Sequence, residues 1–535
     1  MVNKRMTWHI LVADAISDHG LQQLTNAPDV HVDKAIGWTE DQLVDRIGAY
    51  DALLVRSQTK VTARIMDAAP KLRVIGRAGV GVDNIDLPHA TKRGMIVINA
   101  PDGNTITTCE HTFAMMMALA RHIPQAYRKT IEGTWDRKTF VGVELRNKVL
   151  GIIGMGRIGS EVALRAKAFG MDVIGYDPFL SEAAAEKIGI QLGTVADILA
   201  QADFMTVHTP LTPETRHMIS TNEFARMKKG MRIVNCARGG IIDEDALVRA
   251  VREGIVAGAA FDVFAHEPPS PDHPFFSCPE IIVTPHLGAS TIEAQENVAI
   301  DVSEQLLCVL RGTVFRNAVN MPSVPPEVLA KLTPYFSLAT KLGSFLAQRT
   351  DEPIARITIH YSGDLGEGDT APLTRHVVAG VLAHHLGAEH VNVVNALHIA
   401  RDRALDIVTQ QTKATKGFTN GLTVSIETKS HRMSISGTLF NGYGARIVQI
   451  DSYPVDVSPD GHLLIIAHQD KPGIIGRVGS LLGQNEVNIA AMQVGRSEVG
   501  GPAIMVLAID KPLPHGVRDA LTLLPDLSHV RTISL

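Results

Sequence analysis

The segment KVLGIIGMGRIG, residues 148–159, constrains this chain more than any other. An apolar run ends at once in Gly154, Gly156 and Gly159, and a helical pattern begins there. Glycines at that spacing let the backbone turn sharply out of a strand, leave room for a bulky group over the second position, and let the new helix pack close on the strand. Alone, such a triplet says little. With a strand before it, a helix after it, and Asp177 ending the next apolar run, DVIGYDP, it predicts a parallel βαβ unit.

The same rhythm extends in both directions. WHILVAD, VHVDKA, ALLVRS, LRVIGRAG and MIVINA alternate with amphipathic stretches, and after residue 148 a second series runs through DFMTVHTP, RIVNCARGG, AGAAFDVF and IIVTPHLG. The expected class is therefore α/β with two doubly wound parallel sheets, the second a Rossmann domain. At 535 residues the chain exceeds what one hydrophobic core serves. Residues 292–311 are helical in period and lead to Pro322, Pro325 and Pro326, which read as a linker. Beyond it, VVAGVLAHHL has a helical pattern while ARITIHYS, GLTVSIETK and RMSISGTL read as strands, an α+β region. The last segment, from HLLIIAHQD to VRTISL, spells βαββαβ, the ferredoxin-like order. The domains expected are 1–101 with 291–320, then 102–290, 321–457 and 458–535.

A hydrophobic content of 45%, a charged content of 20% and a net charge of −5 describe an ordinary globular protein and argue against a nucleic-acid partner. No apolar stretch reaches membrane-spanning length. The opening MVNKRMTWHILVAD has no signal-peptide core and runs straight into a strand, so a cytoplasmic protein without a membrane partner is expected. Cys109, Cys236, Cys278 and Cys308 are scattered without a CxxC or Cys/His spacing, which fits reduced thiols and no structural metal.

Ligands of open parallel sheets lie beyond the carboxyl ends of the strands. In the second series those ends carry Asp177, then His208, Thr209 and Pro210, then Cys236, Ala237 and Arg238, then Asp262, and finally His286 with Gly288 and Ala289 behind it. With Gly154, Gly156, Arg157, Ile158 and Gly159 they read as the walls of a dinucleotide site. The helix N-terminus favours a pyrophosphate, and Asp177 accepts hydrogen bonds from a ribose diol while repelling a 2'-phosphate, so NAD is expected over NADP. Arg238 offers a planar fork of donors for a carboxylate. His286, in TPHLGAS, is a residue type able to exchange a proton with an alcohol, and Glu267, in HEPP, is placed to orient that imidazole and stabilise its charged form. Singly, each has a structural alternative: a helix cap, a turn acid, a packed histidine. On the strand ends of one sheet they point to hydride transfer.

GMGRIG, ARGG, HEPP and PHLGAS together resemble the signature of the D-2-hydroxyacid dehydrogenases, and the spacing matches over residues 1 to about 320. Within that family RSQTKVT at 56–62, GRAGVGVDNID at 76–86, VNCARGG and HLGAS are similar to the branch that oxidises 3-phosphoglycerate at the entry to serine synthesis. The resemblance implies that the first sheet is flavodoxin-like, that Arg238 holds the substrate carboxylate, and that His286 is the acid/base with Glu267 its partner. A substrate with a phosphate needs further cationic donors; Arg56, Ser57, Arg77 and Gly79 are expected to supply that subsite, and the resemblance brings Arg137 in from a neighbouring subunit of a homodimer or homotetramer. Val80 departs from the pattern, since relatives often carry a hydroxyl residue there. The tail is similar to an ACT domain, a module that binds amino acids between paired copies, which implies serine as effector on His468, Asp470 and Asn488. Residues 321–455 resemble the intervening domain of the long form of these enzymes. A side activity on 2-hydroxyglutarate or 2-oxoglutarate also accords with the family.

Overall fold

The computed structural model describes residues 7–535 apart from 323, 415, 416, 441 and 515, and of residue 326 only the backbone. The first six residues, part of the opening run read above as lacking a signal-peptide core, lie outside the described residues.

Five short strands, Trp8–Val12, Val30–Lys34, Ala52–Val55, Val74–Arg77 and Ile96–Asn99, form the first sheet. All are parallel, in the spatial order second, first, third, fourth, fifth, which is the flavodoxin-like winding. The strand ALLV is buried on both faces, as a central parallel strand must be when helices cover both sides. The second sheet has seven parallel strands. Starting from Val149–Ile153 as strand one, the spatial order is three, two, one, four, five, six, seven, the Rossmann order with one strand added. The chain passes from the first sheet to the second after Asn99 and returns before Ile292. The returning helix Ile292–Leu310 packs back on the first domain so closely that a Cβ on Gly20, in the helix Asp18–Thr25, would stand 2.2 Å from that of Ala299, and a Cβ on Gly76, in the sheet, 2.7 Å from Val302.

A third sheet of six strands mixes one parallel pair with antiparallel neighbours, and a fourth, antiparallel sheet has the ferredoxin-like order. These last two share one core: Leu463, Ile465, Ile504, Val506 and Ile533 of the fourth sheet pack with Leu342, Phe345, Val377 and Val381 of the helices Phe336–Ala347 and Ala371–Leu386. The other face of the fourth sheet packs on its own helices through Leu464, Ile466, Ile474, Val478 and Leu482. The third region also touches the first domain, where Asn392 Nδ2 donates to the Gly94 carbonyl at 2.8 Å.

All four cysteines are free thiols. Among the described residues no group of side chains is arranged to hold a metal ion, and no helix is long and apolar enough to cross a membrane.

Candidate active site

The carboxyl ends of the two parallel sheets face each other across a cleft of about 700 Å³. From the first sheet come Arg77, Val80, Gly81, Val82, Asp83 and Asn99; from the second come Arg157, Ile158, His208, Thr209, Pro210, Cys236, Ala237, Arg238, Glu267, His286, Gly288 and Ala289. Of the residues picked out from the sequence, Arg56, Ser57, Gly79, Arg137, Gly154, Gly156, Gly159, Asp177 and Asp262 are not on its walls. Arg56 lies close enough that its charge is felt at Arg77, whereas Arg137 is exposed on the loop after the helix Ile123–Ile131.

The three glycines of GMGRIG serve two distinct purposes. Gly154 has φ +96°, and a Cβ there would meet the His208 carbonyl oxygen at 2.6 Å; a Cβ on Gly159 would meet the Gly154 oxygen at 2.0 Å. Both are demanded by the protein's own packing. A Cβ on Gly156, in contrast, would meet nothing within 4 Å among the described residues. Gly156 caps the helix Arg157–Ala168 with no side-chain acceptor, so that helix presents its first amides outward. Nearby, His208 Nδ1 and Thr209 Oγ1 are buried without a hydrogen-bond partner among the described residues. An open glycine and uncapped amides behind Arg157 and Ile158, with orphaned polar atoms of His208 and Thr209 on the cleft wall, fit a dinucleotide pyrophosphate and its neighbours. Asp177, just past the end of the strand Asp172–Tyr176, accepts from the Met155 and Phe179 amides at 2.9 and 2.8 Å, which fixes its carboxylate beside the glycine turn. Burial pushes the His208 imidazole down to about 4, so it is neutral at physiological pH. Burial, and then the charge of Asp262, push the Cys236 thiol well up, which disfavours its thiolate form.

Arg77 and Arg238 approach from opposite sheets. A Cβ on Gly79 would lie 1.5 Å from Arg77 Nη1, and one on Gly81 would lie 2.1 Å from Arg238 Nη2, so each glycine makes room for one guanidinium. Burial, then the charges of Arg238 and, after the opposing pull of Asp83, Arg56, push Arg77 down to about 10. Its Nε is buried without a partner among the described residues. Arg238 donates from Nε to Asp83 Oδ2 at 3.1 Å and from Nη1 to the Ala237 carbonyl at 2.7 Å. The loop carrying Arg56 is held by two residues that sequence reasoning did not single out. Buried Asp14 accepts from the Arg56 amide at 2.6 Å and from the Thr59 amide and hydroxyl, and Asn84 donates to the carbonyls of Arg56 and Thr59, both at 2.7 Å. Val80 lines the cleft, and its carbonyl accepts from Asn99 at 2.5 Å.

His286 stands at φ +56° with its Nδ1 2.8 Å from Glu267 Oε2, while Glu267 Oε1 accepts from the Phe264 amide at 3.1 Å. Burial opposes ionisation of Glu267, but the hydrogen bond and charge of His286, with the Phe264 amide, outweigh it and hold the carboxyl below its ordinary value. Asp262, read above as a cofactor contact, is fully buried beneath this pair. Its oxygens accept from the Leu287 and Gly288 amides, both at 2.7 Å, and from Thr284 Oγ1 at 2.6 Å, with His111 Nε2 at 3.2 Å. It fixes the 284–288 segment on which His286 is mounted.

In the fourth sheet His468 is buried, with Nδ1 3.0 Å from the Gln469 carbonyl oxygen and Nε2 unpartnered among the described residues. Asp470 accepts from Arg496 and the Gly500 amide, and Asn488 donates to Asp510 at 2.7 Å. Asp470 and Asn488 stand at opposite ends of this sheet: His468 pairs with Ala503, but Ile489 pairs with Ile509. At the rise of a strand that is a separation of about 20 Å.

Residues 113–288 match the NAD binding domain of the D-isomer specific 2-hydroxyacid dehydrogenases, and solved members of that class share the fold. A D-lactate dehydrogenase from Aquifex aeolicus, complexed with NAD and lactic acid, is 26% identical with TM-score 0.51, over 57% of this chain and 96% of that one. A glyoxylate reductase from Paecilomyes thermophila is 28% identical with TM-score 0.53, over 60% and 99%. Fold and sequence together define an NAD-dependent dehydrogenase of 2-hydroxy acids. Residues 331–451 further match the D-3-phosphoglycerate dehydrogenase intervening domain, and residues 462–522 an ACT domain. The D-3-phosphoglycerate dehydrogenase of Bacillus subtilis is 46% identical over 529 residues, 99% of this chain and 100% of the relative; that of Methanocaldococcus jannaschii is 45% identical over 527 residues, 98% and 99%. The chain belongs to the D-3-phosphoglycerate dehydrogenase family.

Proposed function

We propose that the protein oxidises the C2 hydroxyl of 3-phospho-D-glycerate to give 3-phosphohydroxypyruvate, the first step of serine synthesis, in the cytoplasm. The observation that carries this reading is the meeting of Arg77 and Arg238, from different sheets, in the cleft that also holds the His286–Glu267 pair. A substrate with a carboxylate at one end and a phosphate at the other needs two cationic anchors on either side of its reacting carbon. Arg238 holds the carboxylate; Arg77, with Arg56, Ser57 and Gly79, receives the phosphate.

Bound NAD supplies the acceptor for the C2 hydride. The hydroxyl proton goes to His286 Nε2, because Nδ1 faces Glu267. Glu267 holds the ring in that orientation and stabilises the charge it acquires. Arg77 and Arg238 orient the substrate, and movement at residues 99–104 and 288–292 closes the cleft against water. The domains run as 1–101 with 291–320, 102–290, 321–457 and 458–535.

The assembly is a homodimer or homotetramer. Ile123, Tyr127, Ile131, Trp135 and Val141 form an exposed apolar surface around the helix Ile123–Ile131, suited to a second copy that would also bring in Arg137. Serine binds between paired ACT domains on His468, Asp470 and Asn488 and lowers the rate. The distance between Asp470 and Asn488 in one chain accords with a site built from two copies. A slower reaction on 2-hydroxyglutarate or 2-oxoglutarate uses the same trio.

The test is a comparison of phosphohydroxypyruvate with hydroxypyruvate as oxidant of NADH, in the wild type and in Arg56→Ala and Arg77→Ala. The phosphorylated acid should be strongly preferred, and the arginine variants should erase that preference. Faster reduction of hydroxypyruvate, unaffected by either substitution, would refute the phosphate assignment.

A further inference from the structure

We propose that Asp83 sets the specificity of the cleft by competing with the substrate carboxylate for Arg238. The inference rests on the reading of Arg238 as the carboxylate anchor. Its ground is the geometry of one guanidinium. The Ala237 carbonyl takes Nη1 at 2.7 Å, so the side-on fork of Nε and Nη2 is the pair of parallel donors best placed for a bidentate carboxylate. Asp83 Oδ2 already holds Nε of that fork at 3.1 Å. Gly81 opens the space in which the two meet, since a Cβ there would stand 2.1 Å from Arg238 Nη2 and 2.8 Å from Asp83 Oδ2.

Asp83 also acts on the second cation. Its charge favours the ionised form of Arg77, against the charges of Arg238 and Arg56 that oppose it. One carboxylate is thus hydrogen-bonded to Arg238 and favours the charge of Arg77 from a distance. A substrate carrying a carboxylate and a phosphate brings enough negative charge to replace Asp83 on Arg238 and to compensate Arg77 at the same time. A 2-hydroxy acid with a carboxylate alone must displace it from Arg238 without a phosphate anchored on Arg77. The pair is far from sealed, with the Asp83 side chain 72% exposed and that of Arg238 30%, so Asp83 is free to withdraw into solvent.

The experiment measures kcat and KM, at fixed saturating NAD, for 3-phosphoglycerate and for unphosphorylated D-glycerate in the wild type, Asp83→Asn, Asp83→Ser and Arg238→Lys. Removing a partly exposed competing charge should lower KM for D-glycerate by about fivefold and for phosphoglycerate by less, with kcat little changed, so that discrimination between the two acids shrinks. A rise in KM for both acids would overturn the inference, because Asp83 would then be holding the guanidinium in its working position. Unchanged KM values would overturn it too. Arg238→Lys separates this from the reading beneath it: if that variant leaves KM for both acids unchanged, the carboxylate anchor itself is misassigned, whereas a raised KM there with no effect of Asp83→Asn refutes the competition alone.

Discussion

His286 Nδ1 lies 2.8 Å from Glu267 Oε2, and the backbone that carries His286 hangs on the buried carboxylate of Asp262 by way of the Leu287 and Gly288 amides. The imidazole is therefore fixed twice: by a partner on its ring and by an anchor under its loop. The two fixings have different consequences when they are cut.

Glu267→Gln keeps the shape of the side chain and a hydrogen-bond acceptor but removes the charge. We expect kcat to fall about 10- to 100-fold with KM for the hydroxy acid nearly constant, because charge development on the imidazole loses its compensation. Thermal unfolding should barely move, since both side chains are more than a third exposed. Steady-state kinetics with a melting curve checks both halves.

Asp262→Asn cuts the anchor. Burial disfavours the charge of Asp262, but the hydrogen bonds of His111, Thr284 and Leu287 outweigh it and hold the carboxyl below its ordinary value. Its contribution to stability is thus present above the ordinary carboxylate range and is lost as pH falls through the lower folded value. Leaving those buried donors facing an amide should cost about 2–4 kcal/mol near neutrality. Urea midpoints from pH 3 to 7 should show the wild type losing stability steeply at the acid end and the variant starting lower with a flatter profile.

The glycines of GMGRIG should separate stability from binding. Gly159→Ala forces a Cβ to within 2.0 Å of a backbone oxygen and should destabilise the protein by about 1–3 kcal/mol or more. Gly156→Ala meets no atom of the described residues within 4 Å and should leave the melting temperature within a degree or two while weakening NADH binding at least tenfold. Fluorescence titration of NADH alongside calorimetry distinguishes them; equal loss of stability in both variants would refute the division of roles.

His208 should stay neutral from pH 5 to 8, visible in its ring NMR shifts. Its folded form resists protonation down to about 4, while the unfolded chain takes up a proton near 6.5. This group therefore contributes stability that is present above about 6.5 and lost as pH falls toward about 4. Replacement of His208 by Gln should remove that part of the pH dependence.

Asp470 and Asn488 sit at opposite ends of one sheet, so the proposed serine site takes one residue from each of two copies. Asp470→Asn and Asn488→Ala should each abolish inhibition by serine while leaving the uninhibited rate intact. Co-expression of the two variants should restore it in part, because a mixed pair regains one site with both native residues. Failure of the mixture to recover any inhibition would refute the shared site.

The sequence by itself determined the features that local spacing encodes. Alternating apolar runs and amphipathic stretches dictate parallel sheets, three glycines after VLGII dictate a turn into a helix, and the residues that close each apolar run are the ones a parallel sheet must present at its carboxyl edge. Even the double burial of the fourth sheet is foreshadowed: Leu463–Ile466 is an unbroken apolar run, and all four residues are buried, where a strand with one wet face would alternate. What only the tertiary structure decided are the contacts across sheets. Asp83 meets Arg238 over 155 residues of sequence, Asp14 and Asn84 hold the Arg56 loop, and Asp262 lies under His286 with no surface on the cleft. An aspartate at a strand end looks the same in sequence whether it faces a ligand or a backbone amide. The choice is made by how two separately folded sheets are set against one another, and that orientation is fixed by packing between residues too distant in the chain to leave a local pattern.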